Sequence, residues 1–260
     1  MSTSINQDVT KEMVTQTAGK TYDDVVHPVA QATGKILSFI PRTIRALLSN
    51  WERWILNREY AVAETEKLLS EKLKNIPEEK IVEPEPYVAV PAIQQLSYSI
   101  DNSDLREMYA NLLAASMNIE TKWDVHPSFV DIIRQLTPDE AKLMKYFSEH
   151  PQQPVINVIQ RKANNSGYVD RVRHFTNIAE NICDNADGIF AYLDNMERLK
   201  LIEFPEGVRF ANDALYAPLE NHPFIKKIME TPLPQGGKME IVKLNFFVSA
   251  FGEKFIRVCL

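Results

Sequence analysis

The side chains best suited to proton transfer near neutral pH are the histidines. Four of the five stand directly before proline: His27-Pro28, His126-Pro127, His150-Pro151 and His222-Pro223. His126 follows Asp124 at two residues, and a carboxylate beside an imidazole can orient it as a general base. Proline, however, pushes the residue before it out of the α region, and at the first position of a helix it forfeits no amide donor. His-Pro therefore reads as helix punctuation, with Pro127 and Pro223 opening helices and His150 closing one. No nucleophile or metal-ligand pattern accompanies His126, so punctuation is favoured over catalysis there. His174, with Arg171 and Arg173 beside it on an expected helix, reads as a surface residue.

Other reactive groups add little. Cys183 and Cys259 are the two cysteines, without CxxC spacing, which argues against a disulfide framework or structural zinc and fits a reducing cytoplasm. Glu59, Glu64, Glu66 and Glu71 alternate with lysines as a wet helix face, and "PEEKIVEPEP" reads as a solvated connector. HExxH, GxSxG, GxxxxGK[ST] and GxGxxG patterns are all missing. No catalytic, cofactor-binding or metal residue is assigned on these grounds, and no cofactor is expected.

The elements that would have to position a site are mostly helical. The chain has 260 residues, 45% hydrophobic and 25% charged, enough for one large or two modest domains. Glycine is scarce (8) and proline plentiful (15), which favours helices with rigid breaks over a glycine-rich β architecture. A net charge of −6 gives no bulk attraction for nucleic acid, although it leaves room for a local basic face. The polar first residues lack the apolar run of a signal peptide, and no apolar run is long enough to span a bilayer. The expected location is the cytoplasm, with peripheral attachment at the inner membrane as the alternative.

Residues 1–20 read as a flexible tail and 21–136 as a helical domain with a proline-rich connector at 77–91. Pro91 is expected to start a helix through "AIQQLSYSI". In "DNSDLREMYANLLAASMN", Leu105, Met108, Leu112 and Ala115 share one face beside Tyr109, Leu113 and Met117, as in a buried helix, and Asp101, Asn102 or Ser103 can cap it. From Thr137 the grammar changes. Thr137, Pro138 and Glu140 make a capping box. "PVINVI" reads as a strand, "VDRVRHFTNIAENI" and "GIFAYLDNMERLK" as two helices, "LIEF" and "KMEIVKLNFFV" as antiparallel strands, and "SAFGEKFIRVC" as a last helix. That order is winged-helix-like, α+β over 137–260, with a wing enlarged by the segment that carries a short helix from Pro223. The chain as a whole is expected to be mainly α.

A winged helix invites a DNA-binding reading, with the helix at Asp187–Lys200 in the groove. Its apolar side is Ile189, Phe190, Leu193, Met196 and Leu199. The outward side is acidic, with Asp187, Asp194 and Glu197, and ill suited to phosphate. Arg171 and Arg173 keep DNA contact as the alternative. The stretch most suggestive of action is Gly34–Arg58. There Ile36, Ile40, Ile44, Leu47, Trp51, Trp54 and Ile55 gather on one side, while Arg42, Arg45 and Arg53 gather opposite. Such a stripe packs as core or oligomer interface, or lies on an anionic membrane surface. A protein partner or self-association is the favoured outcome, with nucleic acid less favoured.

"LREMYANLLAASM", "VHPSFVDIIRQLTPDEAKLM" and the upstream "NIPEEKIVEPEPYVAVPAIQQLSYSIDN" resemble the bacterial abortive infection alpha family. "YDDVVHPVAQATGKIL" and "YLDNMERLKLIEF" fit the same pattern, so the likeness runs from about Tyr22 onward. The resemblance implies phage defence in which an infected cell stops supporting phage multiplication, and it carries over no catalytic residue. Interaction rather than catalysis is the expected mode, with a DNA-binding regulator and a cryptic hydrolase or nuclease as alternatives. The hydrolase reading would gain from a fold that places His126 or His174 in a cleft with two carboxylates.

Overall fold

The computed structural model describes residues 67–99, 102–162, 167–233 and 237–260. The tail and the Gly34–Arg58 stripe lie outside them. The chain divides into two compact units, Met1–Glu79 and Lys80–Leu260. In the first, residues 67–73 are helical, with Leu69 and Leu73 buried on one side at i and i+4.

The second unit begins with α1 (Pro86–Tyr98), one turn earlier than the sequence predicts. Pro86, not Pro91, is the opening proline, and Pro91 sits inside the helix. Pro91 cannot donate to the carbonyl of Tyr87, but Tyr87 is exposed, so that carbonyl can turn to water. α2 (Ser103–Ser116) is capped by Asn102, whose Oδ1 accepts from the Leu105 N–H at 2.9 Å. Its expected stripe is largely buried, with Met108, Tyr109, Leu112 and Leu113 inside. α3 (Ser128–Gln135) buries Phe129, Val130, Ile132 and Ile133. α4 (Pro138–Glu149) opens with the predicted capping box: the Glu140 N–H donates to Thr137 Oγ1 (3.2 Å), and the Thr137 N–H donates to Glu140 Oε2 (2.6 Å).

Four antiparallel strands follow in the spatial order β2-β1-β4-β3: β1 (Gln152–Arg161), β2 (Tyr168–Phe175), β3 (Ile202–Glu203) and β4 (Lys238–Val248). β4 pairs with β3 as expected, but its main partner is β1, in unbroken register from Gln152↔Phe247 to Arg161↔Lys238. Around the strands lie α5 (Ile189–Arg198), α6 (Ala217–Glu220), α7 (Pro223–Met229) and the C-terminal α8 (Ala250–Cys259). The described residues are helix-rich, with one antiparallel sheet among them.

Alternation of side chains covers both faces of that sheet. Ile156 and Val158 turn toward Tyr216, Leu219 and Ile225, which fill the segment between β3 and β4. On the other face Phe246 meets Phe147 of α4 edge-on at 5.1 Å. α2 packs against α8, and the Asn111 side-chain amide donates to the backbone carbonyl of Cys259 at 3.0 Å.

One segment departs from expectation outright. "VDRVRHF" forms strand β2, and "NIAEN" continues only as a 3-10 turn at Ile178–Asn181, where the sequence predicts a helix. Val169, Val172 and Phe175 are spaced at i, i+3 and i+6, which suits a helix turn. Pairing with β1 overrides that local spacing.

Candidate functional site

β2 is irregular where it matters. Ile156 pairs with Phe175 and Val158 with Val172, so Arg173 and His174 together oppose the single residue Asn157. Val158 then pairs with Val172 but Ile159 with Asp170, leaving Arg171 as a second extra residue. Each extra residue is a β-bulge, a device that re-aims side chains. His174 takes the left-handed conformation (φ 53°), and Asn157 Oδ1 accepts its backbone N–H at 2.7 Å.

The bulge turns His174 inward. Expected at the surface, it is 9% exposed, and its ring lies flat on Phe204. It lines a half-open cavity of about 320 Å³ together with Arg171, Val172, Arg173, Phe190, Asp194 and Phe224. Burial and then the Arg173 charge lower its pKa, against the opposing pull of Asp194 and Asp170, and so favour the neutral imidazole.

α5 supplies the carboxylates. Its apolar side is as predicted: Ile189, Leu193 and Met196 are buried, and Leu199 closes the helix. Asp194 and Glu197, three residues apart, fall on one side of the helix. One ligand atom from each of His174, Asp194 and Glu197 lies within 4.8 Å of the others. An imidazole and two carboxylates at that separation can share a cation, or act as an acid–base pair on a ligand in the cavity. The spacing of these residues in the chain does not bring His174 to the two carboxylates. The one available signal was Asp194 and Glu197 at i, i+3 on the outward side of a predicted helix.

The other described histidines are punctuation, and His27 lies outside the described residues. His222 Nδ1 accepts the Phe224 N–H at the start of α7 while its Nε2 meets Glu180 at 2.7 Å. His126 Nδ1 accepts the Ser128 N–H at 3.2 Å beside the start of α3. Asp124 does not orient it; that carboxylate pairs with Arg257. His150 closes α4 and stacks on Tyr146. Arg171 and Arg173 stand exposed on β2, with Arg171 held by the Gln160 side-chain carbonyl. Cys183 and Cys259 are free thiols, and burial pushes Cys183 up to about 11.

A second polar cluster holds the approach to α5 in place. Asp139, buried at the start of α4, accepts the N–H groups of Asp184 and Asn185 and the Tyr192 hydroxyl, and pairs with Lys142 at 3.1 Å. Burial raises its pKa, but the N–H groups of Asn185 and Asp184 and the Lys142 ammonium outweigh this and bring it down to about 2.

Among known families, the pattern of abortive infection alpha matches residues 57–259. The chain belongs to the abortive infection alpha family. Membership in this family suggests an abortive-infection-type role in defence against phage. No curated protein and no solved structure matches this chain. Among the described residues, no helix of this abortive infection alpha protein is long and apolar enough to cross a membrane.

Proposed function

We propose that this protein serves abortive-infection-type phage defence by recognising a ligand or partner. The observation that carries the reading is the family match over residues 57–259. The half-open cavity between β2 and α5, lined by two arginines, two phenylalanines and the His174–Asp194 pair, supports a recognition role for the C-terminal part. We read that part as winged-helix-like: α4, α5, the β3–β4 ladder and α8 keep the expected order, strand β2 stands in place of the first of the two expected helices, and the wing carries α6 and α7. The Gly34–Arg58 stripe is the effector surface in this reading. It engages a protein partner or a second copy, and its Trp51, Trp54 and opposing arginines also suit an anionic membrane surface. DNA reading at α5 is disfavoured by Asp194 and Glu197 on its outward side.

The test is plating efficiency on cells with and without the full chain, across a panel of phages. A drop for at least one phage, lost when Trp51 and Trp54 become alanine at unchanged protein level, supports the reading. Equal plating for every phage overturns it.

A second reading, hydrolase or nuclease, is favoured by one observation: His174 and Asp194 line a cleft, and the ligand atoms of both lie within 4.8 Å of the Glu197 carboxylate. Cleavage of a phosphodiester or of DNA by purified protein, lost on Glu197→Gln, would put it first.

A further inference from the structure

We propose that His174, Asp194 and Glu197 form a binding site for a first-row divalent cation, Mn²⁺ or Zn²⁺, at the edge of the β2–α5 cavity. The donors come from two elements that the fold brings together, and their ligand atoms lie within 4.8 Å of one another. Metal–ligand bonds of roughly 2.0–2.2 Å put coordinated donors about 3–4 Å apart, so small side-chain rotations complete the site.

The second observation is the state of the donors. His174 is nine-tenths buried and lines the cavity, yet among the described residues its ring nitrogens have no hydrogen-bond partner. The ring nitrogens keep some access to the half-open cavity, so a cation there can reach an imidazole that no protein group holds. The carboxylates of Asp194 and Glu197 likewise make no hydrogen bond or ion pair among the described residues. Elsewhere in the same unit the acids that meet cations do so closely, as Lys142 meets Asp184 at 2.8 Å.

Chemistry selects the class of ion. One imidazole with two carboxylates suits Mn²⁺, Fe²⁺ or Zn²⁺, whereas Ca²⁺ takes six or more oxygens and soft ions take thiolates. Three protein ligands leave a coordination position open, and two of them, His174 and Asp194, line the cavity together with Arg171 and Arg173. The site is thus of the open kind that presents its ion to a further ligand. The inference stands apart from the phage-defence reading, because cation binding is measured on the purified protein and defence on infected cells.

The experiment is isothermal titration of the full chain, stripped with chelator, with MnCl₂ and with ZnCl₂, and the visible spectrum of the Co²⁺ form. Expected is one ion per chain, weakened by at least about tenfold in an Asp194→Asn, Glu197→Gln double variant. Asp194 is exposed and Glu197 half-buried, so these changes leave the fold alone. His174→Asn, which tolerates the left-handed backbone, should abolish the intense d–d bands of the Co²⁺ form. Absence of binding to the wild type, or equal affinity in wild type and double variant, overturns the site.

Discussion

The imidazole of His174 lies parallel to the ring of Phe204, with 3.7 Å between centroids and 4° between planes. The stack exists because the bulge on β2 places His174 at φ 53°. His, Asn and Asp enter that region at modest cost, whereas a β-branched residue does not. His174→Val should therefore destabilise the protein by roughly 2–3 kcal/mol more than His174→Asn. Urea denaturation midpoints of the two variants check this. Equal midpoints would mean that the bulge relaxes and does not dictate the residue.

Asp139 predicts a pH dependence. Its folded pKa of about 2 lies below the usual aspartate value near 3.9, so its stabilisation is complete above about pH 4. It is lost as the pH falls from there through about 2. Asp139→Asn keeps some hydrogen bonds but not the attraction to Lys142, and should lower stability at pH 7 by roughly 2 kcal/mol. The gap between wild type and variant should close between pH 4 and pH 2. A gap that stays constant over that window would show that the network does not depend on the charge.

At the start of α4, Thr137→Ala removes the acceptor for the Glu140 N–H. The expected loss is about 1 kcal/mol, typical of an N-cap. Glu140 also accepts from the Asn195 amide at 2.8 Å, so the capping box is tied to α5. Glu140→Ala should accordingly cost more than Thr137→Ala, and the comparison of their melting curves decides. If the two variants cost the same, the tie to α5 contributes nothing.

This capping box and the helix it opens were legible in the sequence because their signals are local. The same holds for the His222 cap, the apolar sides of α2 and α5, and the final helix. β2 was not legible, since Val169, Val172 and Phe175 suit a helix as well as a strand. The bulge that aims His174 exists only against the Asn157 position of β1. The candidate site was hidden for the same reason. Asp194 and Glu197 read as an outward acidic side, and nothing in the spacing of "VDRVRHF" and "YLDNMERL" says that the two segments meet. Pro91 misled in another way: a helix opening at a nearby proline looks much like one opening at Pro86.

The junction between α5 and α8 yields the sharpest test. Gly252, in the first turn of α8, donates its N–H to Ser249 Oγ at 2.9 Å, while the Ser249 hydroxyl donates to the Lys200 carbonyl. A Cβ on Gly252 would sit 2.1 Å from the Leu201 carbonyl oxygen. That oxygen is backbone, already accepts the Ser249 N–H at 3.0 Å, and cannot move aside alone. Helix propensity by itself says that Gly252→Ala stabilises α8 by about 1 kcal/mol. Overpacking says that it destabilises by roughly 2–3 kcal/mol, because the helix start must lift off Leu201. The two effects differ in sign, so one denaturation curve separates them. A net loss of stability is expected, and a net gain would show that α8 docks less tightly on Leu201 than the geometry requires.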